Sequence, residues 1–415
     1  MWRRYSPAVL LLSLSVAACQ PAPLPQPETE PEPPIEQPLP TGLRLLPAHW
    51  DALPGWADAD MRPALGAFLR SCARLDHRSD SEALSPRAQW AGRVGDWRGA
   101  CTAAAMTGPD AAAAQATFEA FFAPVRAIAL DEAGGAIGET GLLTGYYEPY
   151  VEVRDAADVE FSQALRRRPD DLVSVDLGLF ESDLAGRRLV GRVNDGSLVR
   201  YYNRAEIEVD NRGEIFAWGR PIDVFFLQIQ GSGRLVDAGG NQSRAAFSAH
   251  NGLPYRSIGR ELIERGELEA HAASKAGIEA WLNRNGSDAT AELFSVNPRY
   301  VFFETQALDD PGLGPRGSSG VALTPMASIA VDPAYHAWGV PVWLAADLPD
   351  LPAWTGLVIT QDGGGAINGP LRGDFFWGWG EVEERRAGTT RAQAQWTVLL
   401  PISVAQRIVD ATPPA

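Results

Sequence analysis

Two carboxylates flank a glycine-rich turn in Gln361-Asp362-Gly363-Gly364-Gly365-Ala366-Ile367-Asn368-Gly369-Pro370-Leu371-Arg372-Gly373-Asp374. Phe375, Phe376 and Trp377 follow the second of them, and a third carboxylate, Asp332, ends the run Ala330-Val331-Asp332. A carboxyl group that holds its proton near neutrality can act as a general acid, and paired carboxylates are the groups that break glycosidic bonds. Asp374 is the candidate acid. A free aspartate titrates near ~3.9, but apolar neighbours disfavour its charged form, and Asp362 and Asp332 add like-charge repulsion if the fold brings them close. Asp362 is the candidate second carboxylate, orienting the acid or stabilising positive charge; an Asp before glycines also caps turns. Asp332, directly before Pro333, reads equally as a turn residue or as a supporting member of the site.

These groups need elements to hold them. Apolar runs at 328–331 and 357–360 read as strands that end at Asp332 and Asp362. Carboxylates at the ends of paired strands, beside backbone stripped of side chains, suit a groove that admits a polymer. In Thr144-Gly145-Tyr146-Tyr147-Glu148-Pro149, Thr144, Tyr146 and Tyr147 are candidate groove residues, since aromatic faces suit pyranose rings. In an extended strand the two tyrosines point to opposite faces, so at most one of them meets a ligand. In Gln230-Gly231-Ser232-Gly233, Gln230 and Ser232 are candidate donors to a sugar, although the segment by itself reads as a turn.

Residues 58–130 read as helical, with Met61, Leu65, Phe68, Leu69 and Cys72 at helical spacing and a further helix running from Ala111 to Ala129. From Leu142 strands take over. Segments 189–193 and 198–202 form a hairpin around Asn194-Asp195-Gly196, 206–209 and 214–218 are strand candidates, and Val224 to Gln230 is a longer apolar strand. Segments 257–265 and 269–282 read as helices, and strands resume at Tyr300. The pattern is mainly β with flanking helices, in two domains.

The blocks 144–149, 230–233, 297–304, 341–344 and 361–378, in this order, resemble the membrane-bound lytic murein transglycosylase A family, with its three-aspartate domain. The likeness runs over roughly 142–380. It implies a double-psi β-barrel catalytic domain (42–149 and 268–415), a smaller inserted β domain (150–267), and a groove between them. It also implies a lyase that cuts peptidoglycan glycan strands to 1,6-anhydromuramic ends with one Asp acid/base at Asp374, sugar contacts from Thr144, Tyr146, Tyr147, Gln230, Ser232 and Asp332, and no metal or organic cofactor. Two departures stand out. Gly363 replaces a usual threonine after the second aspartate, and His336-Ala337-Trp338-Gly339 replaces a usual Ile-Pro-Leu-Gly. An endoglucanase-like hydrolase, using Asp362 to activate a water, and a non-catalytic wall-binding lipoprotein are the alternatives.

The ends and the composition fit an envelope protein. Arg3 and Arg4, the short apolar run 8–16 and Val16-Ala17-Ala18-Cys19 read as a lipoprotein signal (1–18) before a lipidated Cys19. Gln20 after it implies the periplasmic face of the outer membrane by analogy with bacterial sorting rules. Segment 19–41, dense in Pro and Glu, reads as an extended spacer. The net charge of −16 with no basic run argues against nucleic acid as a partner, and glycan recognition should be local and sugar-directed. Cys72 and Cys101 either pair or act as small buried residues; with five scattered histidines they make no zinc pattern. Gly312-Leu313-Gly314-Pro315-Arg316-Gly317 spells a dinucleotide loop, but Pro315 and the missing helix make it a surface loop. Asn241-Gln242-Ser243 spells a glycosylation acceptor of little meaning in such a protein.

Overall fold

The computed structural model describes residues 42–184 and 187–411; the signal, Cys19 and the spacer lie outside them. Six strands close into a barrel in the order Arg391–Pro401, Pro341–Leu348, Leu351–Asp362, Ser328–Val331, Gly373–Trp379 and Thr140–Glu148, the last pairing back onto the first. Closure leaves no free edge inside this ring. Gly42–Pro47 and Phe122–Leu130 extend the same sheet outward from Arg391–Pro401. The interior is filled by alternate residues of these strands, among them Leu143, Ile329, Leu344, Val358, Phe375 and Trp396, all buried.

A second six-stranded sheet runs Val301–Gln306, Gln242–His250, Gly233–Val236, Tyr150–Arg154, Ile215–Gly219, Gln163–Arg166. It takes in a strand well beyond residue 267. The barrel strand Thr140–Glu148 passes into it through Pro149 alone. The mainly β architecture with a closed barrel and a second β sheet is the one the sequence implied.

The helix Arg62–Cys72 lays Leu65, Phe68 and Cys72 on the barrel, and a disulfide from Cys72 to Cys101 ties it to the helix Val94–Met106. Gln361, fully buried, stitches the same helix to the barrel: its Nε2 donates to Ala67 O (2.7 Å) and Ser71 Oγ (2.8 Å). No helix among the described residues is long and apolar enough to cross a membrane.

Three elements differ from expectation, each for a legible reason. The helix from Ala111 stops at Phe121 and 122–130 is a strand. Pro124 has no N–H to donate and pushes Ala123 out of the helical region. Residues 206–209 lie in a helix, Arg204–Val209, started by a reciprocal cap in which Asn203 Oδ1 accepts from Glu206 N and the Glu206 carboxylate accepts from Asn203 N. Residues 224–230 also lie in a helix, Pro221–Gln230, with Pro at its start and Gly231 left-handed (φ 86°) just past its end. Such a helix, buried on several sides between the second sheet and Lys275–Ser295, shows the same unbroken apolar run as a buried strand.

Candidate active site

Strand register brings the two carboxylates of the glycine-rich turn together. Ala330 sits between them, paired with Asp362 on one side and with Asp374 on the other. Residues in register on adjacent strands share a face, so both carboxyls rise from the same patch of barrel, their Cα atoms about 10 Å apart at ~4.8 Å per strand step. On the far side of Asp374, Thr144 is its register partner. Tyr146, two residues on, shares that face, while Tyr147 turns inward.

Thr144 Oγ1 donates to Asp374 Oδ1 at 2.6 Å. Arg372 Nη2 donates to Thr144 Oγ1 at 2.9 Å, which leaves the threonine proton for the carboxylate. Asp374 Oδ2 has no hydrogen bond among the described residues. Burial is the largest influence on Asp374 and pushes its carboxyl up from 3.8 to about 6; the Thr144 bond and the Arg372 charge pull against it, and the Asp362 charge reinforces it.

Asp362 is held differently. Its Oδ1 accepts from Ser318 N (2.8 Å), Ser318 Oγ (2.9 Å) and its neighbour Gly363 N (2.9 Å), and its Oδ2 accepts from Tyr146 OH at 3.0 Å. Burial pushes this carboxyl up as well, against the pull of those bonds. The Tyr146 hydroxyl is held well above its usual range by burial first and then by both carboxylates, so it stays a donor. Its ring lies 5.2 Å from that of Phe376. Gly145, between Thr144 and Tyr146, has to be glycine: a Cβ there would lie 2.6 Å from Trp377 Nε1.

The remaining candidates fall elsewhere. Tyr147 is buried in the barrel core. Asp332 accepts from Ala334 N at 2.9 Å and from Gly369 N at 2.8 Å, and His336 Nε2 donates to Pro370 O at 2.6 Å. These groups anchor both ends of a turn, and Asp332 serves as a brace for the glycine-rich segment. Gln230 is in the last turn of a helix and Ser232 is buried just beyond it; neither bonds to the carboxylate pair.

Two site residues were not assigned from the sequence. Arg372 carries a signal, since it stands two residues before Asp374. Ser318 carries almost none, because it arrives from the loop that spells Gly312–Gly317. That loop is more than surface. Gly314 and Pro315 are buried, and a Cβ on Gly314 would lie 2.5 Å from the Phe376 ring. The loop is gripped from the second sheet: Arg234 Nη2 donates to Pro311 O (3.0 Å) and Leu313 O (3.2 Å), and Arg244 Nη2 to Leu313 O (2.8 Å). Both arginines meet the buried Glu148 carboxylate, at 2.9 and 2.5 Å, and Arg234 stacks 3.6 Å from the Trp379 ring. A buried charge cluster of this kind holds only when every member is paired.

Gly363 and Trp338 meet in space. A Cβ on Gly363 would lie 2.9 Å from Cη2 of Trp338. The tryptophan ring takes the room a side chain at 363 would need.

The family described as "MltA specific insert domain" matches residues 142–304 and the family described as "3D domain" matches 327–400, together more than half of the chain. A membrane-bound lytic murein transglycosylase A of Vibrio cholerae is 31% identical over 237 residues, covering 54% of this chain and 56% of the relative. One of Escherichia coli is 30% identical over 257 residues, covering 59% and 61%. The chain thus spans little more than half the length of these curated relatives. Among solved structures, a membrane-bound lytic murein transglycosylase from Agrobacterium tumefaciens has a TM-score of 0.74 at 27% identity, covering 88% of this chain and 99% of that one.

Proposed function

This chain belongs to the membrane-bound lytic murein transglycosylase A family, and we propose that it cleaves the β-1,4 bond between N-acetylmuramic acid and N-acetylglucosamine in peptidoglycan, closing a 1,6-anhydro ring on the muramic residue. The observation that carries this reading is Asp374: half-buried, fixed by Thr144 through one oxygen, its other oxygen open, and ionising at about 6. The protonated carboxyl gives its proton to the glycosidic oxygen as the bond to the anomeric carbon breaks. The bonding pair leaves with the oxygen, and positive charge develops at the anomeric carbon. Asp362 lies across the patch to stabilise it. The 6-hydroxyl of the same sugar then attacks that carbon and returns its proton to Asp374. Because nucleophile and electrophile share one ring, the effective molarity is on the order of 10⁵ M or more, and no water need be activated.

Asp362 supports this over hydrolysis. A hydrolase needs a second carboxylate free to take a proton from water or to attack the sugar. The four hydrogen bonds on Asp362 occupy one oxygen fully and hold the other. They suit a fixed electrostatic partner.

For location, we propose an envelope protein anchored through lipid on Cys19 at the periplasmic face of the outer membrane.

The test is digestion of purified, peptide-bearing sacculi followed by mass spectrometry of the fragments. Anhydro ends, each one water lighter than a hydrolytic end, are expected. Reducing ends would establish a hydrolase, and retained binding without cleavage would establish a wall-binding protein.

A further inference from the structure

A cleft of about 130 Å³ opens next to the segments that hold Asp362, walled by Ser71, Arg74, Leu75, Ser319, Trp338 and Gly339. We propose that it is a subsite for a carboxylate carried on the substituent at the 3-oxygen of the muramic residue; the proposal rests on the transglycosylase reading above.

Its place follows from the chain path. Ser318 donates twice to Asp362, and Ser319, the next residue, turns to the cleft while its amide donates to Gln361 O at 3.0 Å. On the other side, the Trp338 ring that walls the cleft lies against Gly363, the residue after Asp362. Consecutive Cα atoms are ~3.8 Å apart, so the cleft begins one residue from Ser318 and against Gly363, both of which adjoin Asp362. A sugar whose anomeric carbon sits over the carboxylate pair has its ring substituents within reach of the opening.

The lining is suited to an anion. Arg74 is exposed, and its guanidinium carbon would lie 3.3 Å from a Cβ on Gly320, at the turn after Ser319. Arg316 meets the same turn, its Nη1 donating to Gly320 O at 3.1 Å. Among the described residues neither arginine has a carboxylate within ion-pair range, in a chain whose net charge is −16. Arg78, also on the wall, is already committed to Glu82 and to the carbonyls of Ala83 and Leu84. The Ser319 hydroxyl is buried with no partner. An unpaired guanidinium, an unpartnered hydroxyl and an indole wall together fit a carboxylate on a short carbon arm. The two alternating sugars of the glycan differ in this one feature. Muramic acid bears a lactyl arm that ends in a carboxylate, or in a peptide with carboxylates of its own, whereas N-acetylglucosamine bears none. A cation on the Asp362 side of the pair would set which sugar occupies the reacting position.

The test compares Arg74→Gln with the unaltered chain on three ligands: chitohexaose, which is neutral; glycan strands stripped of peptide by an amidase, which expose the lactyl carboxylate; and peptide-bearing sacculi. Chitohexaose binding by calorimetry and the melting temperature should not change. The value of kcat/KM on a muramic glycan should fall about tenfold, with KM carrying the loss, as expected for one charge-assisted contact. Loss on stripped glycan alone assigns the lactyl carboxylate, loss on sacculi alone assigns a peptide carboxylate, and loss on both assigns a site that takes either. Unchanged kinetics on both, or an equal loss of chitohexaose binding, would overturn the subsite. If the unaltered chain cuts neither glycan, the transglycosylase reading fails separately. Calorimetry still decides the subsite, through the preference for stripped glycan over chitohexaose and its loss in Arg74→Gln.

Discussion

Replacing Asp374 with asparagine should slow cleavage severely and, at neutral pH, make the protein more stable. Asn keeps an oxygen to accept the Thr144 proton and fills the same volume, so the folded contacts survive. What it removes is a charge the fold disfavours. A rise from 3.8 to about 6 corresponds to about 3 kcal/mol at ~1.36 kcal/mol per pKa unit. The side chain is only half-buried, so water reaching it from the groove reduces this to about 1–2 kcal/mol. The sign follows from proton binding. Between about pH 4 and about pH 6 the folded chain holds a proton on Asp374 that the unfolded chain has released. The unaltered protein therefore loses this contribution as pH rises through that window and stays without it above. Asn, neutral in both states, loses nothing. Urea unfolding of both proteins should give equal stability at about pH 4 and a gap of about 1–2 kcal/mol in favour of Asp374→Asn at about pH 7.5, with unchanged denaturant slopes. On sacculi, anhydro ends from the variant should fall by about 10²–10⁴. A variant no more stable at pH 7.5, or a gap independent of pH, would mean that Asp374 is not held in its neutral form by burial, and the acid role would lose its physical basis.

Three further outcomes follow from the same geometry. The kcat/KM for glycan cleavage should fall about tenfold per pH unit above about 6, because the acid must be protonated to act; a flat profile to pH 8 would place the proton elsewhere. Tyr146→Phe keeps the ring against Phe376 and removes the donor to Asp362, so kcat should drop about tenfold while chitohexaose affinity by calorimetry stays within about twofold. Cys101→Ser opens a cross-link across 29 residues and should cost about 3–4 kcal/mol in urea unfolding, a loss that reductant should reproduce in the unaltered protein.

The sequence alone determined which groups could do chemistry and roughly where strands deliver them. Apolar runs ending at Asp332 and Asp362 read as strands and are strands, because a short unbroken apolar run marks a strand buried on both faces. The opposite facing of Tyr146 and Tyr147 was likewise a matter of strand geometry. The helix at 204–209 had its cap written in Asn203 and Glu206, and the helix at 221–230 had Pro221 and Gly231 at its ends; both signals were outweighed by β-prone composition in between.

Tertiary structure alone decided what each carboxylate does. The local sequence cannot say that Ala330 stands between Asp362 and Asp374, that a serine from a separate loop locks one of them, or that Asp332 spends its oxygens on backbone amides. A pKa depends on burial and on neighbours a few ångströms away, and in a closed barrel those neighbours come from strands more than two hundred residues apart, as Thr144 and Asp374 do. Residue types set the available chemistry; contacts that close only when the barrel closes assign the roles.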